Sequence, residues 1–330
     1  MADAGIERKT DSGPGEDAGD TGSSPPSCQP GGNGLTNCGA SRESCCTSLE
    51  VTGGSYSRTY ANSGDGPTAE ADPASVSGFR LDKYEVTVGR FRQFAKAWGT
   101  GSGYLPPAGS GKHTHLNGGR GLVDSSAPGA AYEPGWVASD DRYIAPTDAN
   151  LACKSMFDTW TSAAGSNETL PINCVNWYEA HAFCIWDGGF LPSESEWEYA
   201  AAGGTQQREY PWGETPPGTG NQYAIYGCNY PAGDAGSCTG GAAPVGTATD
   251  GAGLWKQLDL AGNVYEWSLD SYAAYRDPCA DCASLTAASY RVIRGGYFYN
   301  LPTYLVSANR SDDSPTERST CIGFRCARTP

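Results

Sequence analysis

Residues 259–267 read DLAGNVYEW, a turn, an amide, a carboxylate and two aromatic rings in one short stretch. Asn263 and Glu266 offer side-chain oxygens, and the Gly262 turn can aim neighbouring carbonyls at the same point, which is the hard-oxygen environment that Ca²⁺ prefers. An ordinary loop accounts for the same residues if Asn263 and Glu266 cap local backbone groups while Tyr265 and Trp267 anchor the core.

The segments on either side decide between these readings. Upstream lie FRLDKYEVTVGRFRQF (79–94), PINCVNWYEAHAFCIWDGGFLPSESEWEYAAAGG (171–204) and REYPWG (208–213); downstream lie YRVIRGG (290–296) and GFRCAR (323–328). In this order and spacing they resemble the formylglycine-generating enzyme (sulfatase-modifying factor) family over roughly residues 50–330. The resemblance is to a divergent, secreted bacterial member of myxobacterial type. It implies an α+β fold, the family's variant of the C-type lectin fold, with little regular secondary structure and structural Ca²⁺. Carried over by position, Asn263 and Glu266 coordinate through side chains and Gly262 or Val264 through carbonyls. The cysteines of HAFC and GFRC match a family disulfide, so the resemblance pairs Cys184 with Cys326. A second family disulfide needs a cysteine in the helix that reads EYAAAGG here, and that position is alanine.

The same comparison removes the family's chemistry. The resembled enzymes oxidise a substrate cysteine with O₂ at Cu(I) held by two thiolates, the soft ligands this ion requires. The matching interval is YFYNLPTYLVSANRSDDSPTERSTCI (297–322), with Ser307 where the second cysteine belongs and Pro302 or Leu305 near the first. Cys321 is the single cysteine of the interval, and shifting the register adds no other. Ser307 and Cys321 are the remaining catalytic candidates, and copper-dependent formylglycine formation is not expected. Sulfoxide synthases of the same fold draw iron histidines from an additional helical domain that nothing here resembles. Members without catalytic residues keep the scaffold for binding, and Tyr297, Phe298, Tyr299 and Tyr304 with Arg310 would line what remains of the pocket, stacking on a sugar or a peptide. Core packing explains those rings equally well.

The leading expectation is therefore a Ca²⁺-stabilised module that binds a glycan or protein partner. The opposing one is an O₂-dependent oxidoreductase. Its metal would be iron, held by His113 and His115 of GKHTHLNGG (111–119) with Asp124 or Glu133 in imitation of a two-histidine, one-carboxylate site, or copper at a misaligned family site. Against the iron site stands the plainer reading that both imidazoles hydrogen-bond the loop's own carbonyls. His181, on the first helix of the long central motif, reads as a satisfied surface or boundary histidine.

A formal net charge of −15 would repel a phosphate backbone, which excludes nucleic acid as a partner. Thirteen cysteines do not suit a reducing cytosol, so the protein is placed outside the cytoplasm, as a secreted, periplasmic or surface lipoprotein. The N-terminus shows no apolar export segment and no run of the chain spans a bilayer, so the export signal has been removed or the start trimmed.

In chain order, residues 1–27 are too polar to order themselves and read as an acidic linker. Residues 28–49 form a small segment around Cys28, Cys38, Cys45 and Cys46, whose three possible pairings are left open. The main domain covers 50–330. EVTGGSYSRTY (50–60) alternates like a strand and runs into a Gly/Asp/Pro loop, and Phe79–Tyr84 reads as a second strand. Thr87 caps a helix burying Phe91, Phe94, Ala95 and Trp98, ended by Gly99 and Gly101. Asn176 with Glu179, and Ser193 with Glu196, are capping boxes that open two helices. Cys228 and Cys238 can staple one loop, Cys153 and Cys174 count as disulfide cysteines, and Cys279 and Cys282 form a small bridge or two bridges to neighbouring loops. Tyr290–Arg294 and GFRCAR read as strands.

Overall fold

The computed structural model describes residues 24–99, 103–127, 129, 131–154, 156–231 and 238–330. Residues 1–23 of the linker, and Gly101, lie outside them. The family's α+β architecture is present, with short strands, few helices and long connections.

The first strands are β1 (Ser48–Val51), β2 (Gly54–Asn62), β3 (Pro67–Val76) and β4 (Phe79–Asp82). The alternation over 50–60 belongs to two strands, and the Gly/Asp/Pro stretch after it is a hairpin turn leading into β3, which pairs antiparallel with β2. Pro67 and Pro73 hide β3 from a sequence reading, because proline supplies no ladder donor. Pro67 sits at the strand's start, and the partner on the strand's other side, β7 (Cys279–Ala280), is only two residues long.

Helix α1 (Val88–Gly99) is capped by the Thr87 hydroxyl, which accepts from the Arg90 N–H at 3.2 Å. The Gly-rich passage after it is filled by β5 (Val123–Asp124), a 3₁₀ segment at Ala138–Tyr143 and the single turn α2 (Asp148–Leu151). Helices α3 (Trp177–Trp186) and α4 (Glu194–Ala201) both start in complete capping boxes, Asn176 with Glu179 and Ser193 with Glu196. Phe91 of α1 stacks on Phe183 of α3 at 5.7 Å between ring centroids, and Phe324 closes on Phe183 edge-on at 5.3 Å. These rings form the centre of the larger core, while Trp197 and Ala200–Ala202 of α4 face a second core built on β1–β4.

The last strands complete four small sheets. β6 (Tyr265–Ser271) is central to one of them, antiparallel to β9 (Arg291–Arg294) and parallel to β11 (Ile322–Gly323); β10 (Arg310–Asp313) lies beyond β9. β8 (Cys282–Ala283) pairs with β5, and β12 (Ala327–Arg328) pairs with β4, so the first and last strands of the described residues share one sheet.

Six disulfides cross-link the described residues. They join Cys28 to Cys46, Cys38 to Cys45, Cys153 to Cys174, Cys184 to Cys326, Cys228 to Cys238 and Cys279 to Cys282. Cys321 is free. The N-terminal pair of bridges packs onto the main domain: Ser27 N–H donates to Asp187 at 2.9 Å, and Cys38 and Cys45 share a core cluster with Tyr84 and Val245.

Candidate functional site

The Asp259–Trp267 loop is shaped by left-handed residues, with Asp259 at φ 58°, Gly262 at 83° and Asn263 at 60°. A Cβ on Gly262 would meet the Ile225 carbonyl oxygen at 2.3 Å, so only glycine fits there. The side chains that follow are buried and committed. Asn263 Oδ1 accepts from the Ala243 N–H at 2.8 Å, and its Nδ2 donates to Glu85 at 2.6 Å. Both oxygens of Glu266 accept from Arg325 at 2.6 Å, and one also accepts from the Trp197 indole N–H at 2.8 Å.

Three carboxylates, Glu85, Asp259 and Glu266, thus share the surroundings of a single buried cation, Arg325. Burial raises the Glu85 pKa, with Asp259 and then Glu266 adding to it, and burial lifts Asp259 to about 6. The side-chain oxygens of Asn263 and Glu266 both have protein partners here. Ca²⁺ coordinated by Glu266 would have to take that carboxylate from a two-pronged guanidinium, and Asn263 would have to release Ala243.

The histidines part company. His113, fully buried, donates from one ring nitrogen to Glu133 at 2.8 Å and from the other to Glu196 at 3.0 Å. Burial pulls its pKa down, but Glu196 and then Glu133 outweigh burial and hold it at about 10. An imidazolium with both nitrogens engaged has no lone pair for iron. His115 is half-buried with neither nitrogen partnered, its ring 6.3 Å from that of His113. Asp124 turns away, accepting from Ser126 and the Leu285 N–H. The structure therefore brings His113 to Glu133 but does not assemble His113, His115 and a carboxylate around one point. The sequence alone missed Glu196, the second clasp on His113, because its capping-box role already explained it. His181 is neither superficial nor satisfied: it is 4% exposed, its nitrogens lack partners, and burial lowers its pKa to about 3.

Downstream of the Gly295–Gly296 turn, several rings gather at the surface. Tyr297, 5.5 Å from the buried Tyr265 ring of β6, stacks on Tyr299 at 6.5 Å, with Tyr304 close by. Tyr299 is 59% exposed and Tyr304 42%. At the foot of this face the Tyr297 hydroxyl lies beside the Cys321 thiol, and burial, then Cys321, raises the tyrosine's pKa to about 12. Phe298 is buried against Phe157 instead. Ser307 is buried too, its hydroxyl donating to the Ala201 carbonyl at 3.1 Å. Arg310 belongs elsewhere: it grips Glu194 and lies over Tyr272 and Tyr275.

A family profile described as the sulfatase-modifying factor enzyme 1-like domain matches residues 36–330. The chain belongs to the formylglycine-generating enzyme family. The formylglycine-generating enzyme of Thermomonospora curvata is 30% identical over 301 residues, covering 84% of this chain and 90% of that one. The Streptomyces coelicolor enzyme of the same name is 30% identical over 297 residues, covering 83% and 85%. A bovine relative named inactive C-alpha-formylglycine-generating enzyme 2 is 34% identical over 185 residues, covering 51% and 55%, so the family holds members named as active and as inactive. Among solved structures, PvdO from Pseudomonas aeruginosa has a TM-score of 0.54 at 21% identity, covering 86% of this chain and 94% of that one. Treponema denticola variable protein 1 gives 0.53 at 20%, covering 86% and 95%. Both share the fold. The family profile starts ahead of β1, inside the Cys-rich segment, in keeping with the packing of that segment on the domain.

Proposed function

We propose that this chain is a binding member of the formylglycine-generating enzyme family that has lost copper oxidation. The observation that carries the reading is the lone Cys321 thiol at the foot of an exposed tyrosine face, where Cu(I) chemistry of this type calls for two thiolates. Ser307 gives no second ligand, since a hydroxyl is a hard donor and this one is turned onto the Ala201 carbonyl. Tyr299 and Tyr304 supply flat apolar area with a polar tip, which suits stacking on sugar rings or on an extended peptide of a protein partner. The six disulfides fit an extracytoplasmic setting, and no helix among the described residues is long and apolar enough to cross a membrane. Within that setting we place it as a secreted, periplasmic or lipid-anchored surface protein.

The test has two arms. Protein loaded with Cu⁺ is offered a cysteine-containing sulfatase peptide under O₂, and no formylglycine is expected. Glycan arrays and displayed-peptide libraries are then screened with the unaltered chain and with the Tyr299→Ala, Tyr304→Ala double variant. Ligands retained by the first and lost by the second are expected. Stoichiometric copper with turnover, or the absence of any tyrosine-dependent ligand, would overturn the proposal.

A further inference from the structure

The β6–β9 pair ends, opposite the tyrosine face, at a cavity. Leu269 lies four residues beyond Tyr265, roughly 13 Å away at ~3.3 Å per residue, and Arg291 stands at the matching end of β9, in register with Ser271. The cavity measures about 280 Å³ and is lined by Gly111, Asp140, Trp177, His181, Leu269 and Arg291, among others. At ~30 Å³ per water it has room for a molecule of about ten heavy atoms.

Two of its polar groups are left short of partners among the described residues, Arg291 without an ion pair and His181 without a hydrogen bond. The buried arginines Arg58, Arg90, Arg92, Arg294 and Arg325 each hold a carboxylate. Arg291 has no ion pair among the described residues. It donates one N–H to the Leu269 carbonyl at 2.8 Å and lies over the Trp177 ring at 3.8 Å, and burial pulls its pKa down. His181, one helical turn along α3 from Trp177, presents two unpartnered nitrogens. A Cβ on Gly111 would come within 3.2 Å of His181 Nε2, so the glycine leaves that nitrogen uncovered. Enclosing a guanidinium that has no ion pair, near Asp140 and Asp270, beside an unsatisfied imidazole costs free energy that a ligand can recover.

We propose that this cavity binds a small monocarboxylate with an apolar body. The guanidinium fork suits a carboxylate, and neutral His181 can donate one further hydrogen bond to it. Leu269 and the edge of Trp177 take the body. Asp140, on the same wall, opposes any anion, and a dianion such as phosphate more strongly than a monocarboxylate held by Arg291.

Calorimetric titration of the full disulfide-bonded chain with phenylacetate tests this. Saturable binding of one molecule per chain is expected, with uncharged phenylacetamide at least about tenfold weaker, the loss of one charge-assisted pair. Inorganic phosphate should not compete. Arg291→Leu should weaken phenylacetate by a similar factor, and the Tyr299→Ala, Tyr304→Ala variant should leave it unchanged. Equal binding of acid and amide, competition by phosphate, or no saturable binding of phenylacetate overturns the proposal, and each is read on the unaltered protein even if Arg291→Leu fails to fold.

Discussion

His113 ties a loop to a helix by charge: it lies 20 residues from Glu133 and 83 from Glu196, and all three are buried. Removing the cation leaves two carboxylates facing each other without compensation. His113→Gln is therefore expected to cost about 3–5 kcal/mol in urea unfolding; a loss under about 1 kcal/mol would mean that one glutamate is already protonated. The calcium question belongs to the same scale. With Glu266 held by Arg325, excess chelator is expected to leave the melting temperature unchanged in a thermal scan. A drop of several degrees would instead reveal a cation at Gly262, Asn263, Val264 and Glu266 that outcompetes the guanidinium.

Helices α3 and α4 are the elements that the sequence states most openly. Each carries an N-cap, a glutamate three residues later and an apolar face, and all of these signals are local. Asn176→Ala removes the cap of α3 and also the bond from its Nδ2 to the Tyr143 carbonyl, so a loss of about 1–2 kcal/mol is expected in denaturant melts, with the far-ultraviolet spectrum retained. The Cys184–Cys326 bridge closes 142 residues, and the Cys184→Ala, Cys326→Ala variant should lose about 2–5 kcal/mol in the same melts. Less legible was whatever depends on partners distant in sequence. Strand β3 was obscured by its prolines, and its identity comes from pairing with β2. Glu266 carries the same letters whether it binds Ca²⁺ or Arg325, and its bond to Arg325 depends on a segment 59 residues away in sequence. Tyr297, Phe298, Tyr299 and Tyr304 look alike in the sequence, yet the turn after Gly296 sends Phe298 inward and leaves Tyr299 and Tyr304 at the surface.

The whole molecule has a preferred pH. His113 is raised to about 10, Glu198 and Asp270 to about 7, and Asp259 to about 6, burial being the main cause for the three acids. A group whose pKa is higher folded than unfolded contributes stability that is fully present below the unfolded value and is lost as pH rises through the folded one. All four act in one direction, Asp259 up to about pH 6, Glu198 and Asp270 up to about pH 7, and His113 from its ordinary range up to about pH 10. The melting temperature is expected to fall steadily from pH 6 to pH 10, and the His113→Gln protein should lose the upper part of that slope; a flat profile would contradict the buried charge pattern. The sheet that joins β4 to β12 has a further consequence for how the fold is made. Residues 79–82 cannot complete their sheet, and Phe91 and Phe183 cannot meet Phe324, until residues 324–328 have been synthesised, roughly 10–50 s later at ~5–20 residues per second. The sheet that holds β4 and the ring cluster around Phe183 are therefore closed only once the GFRCAR segment has left the ribosome.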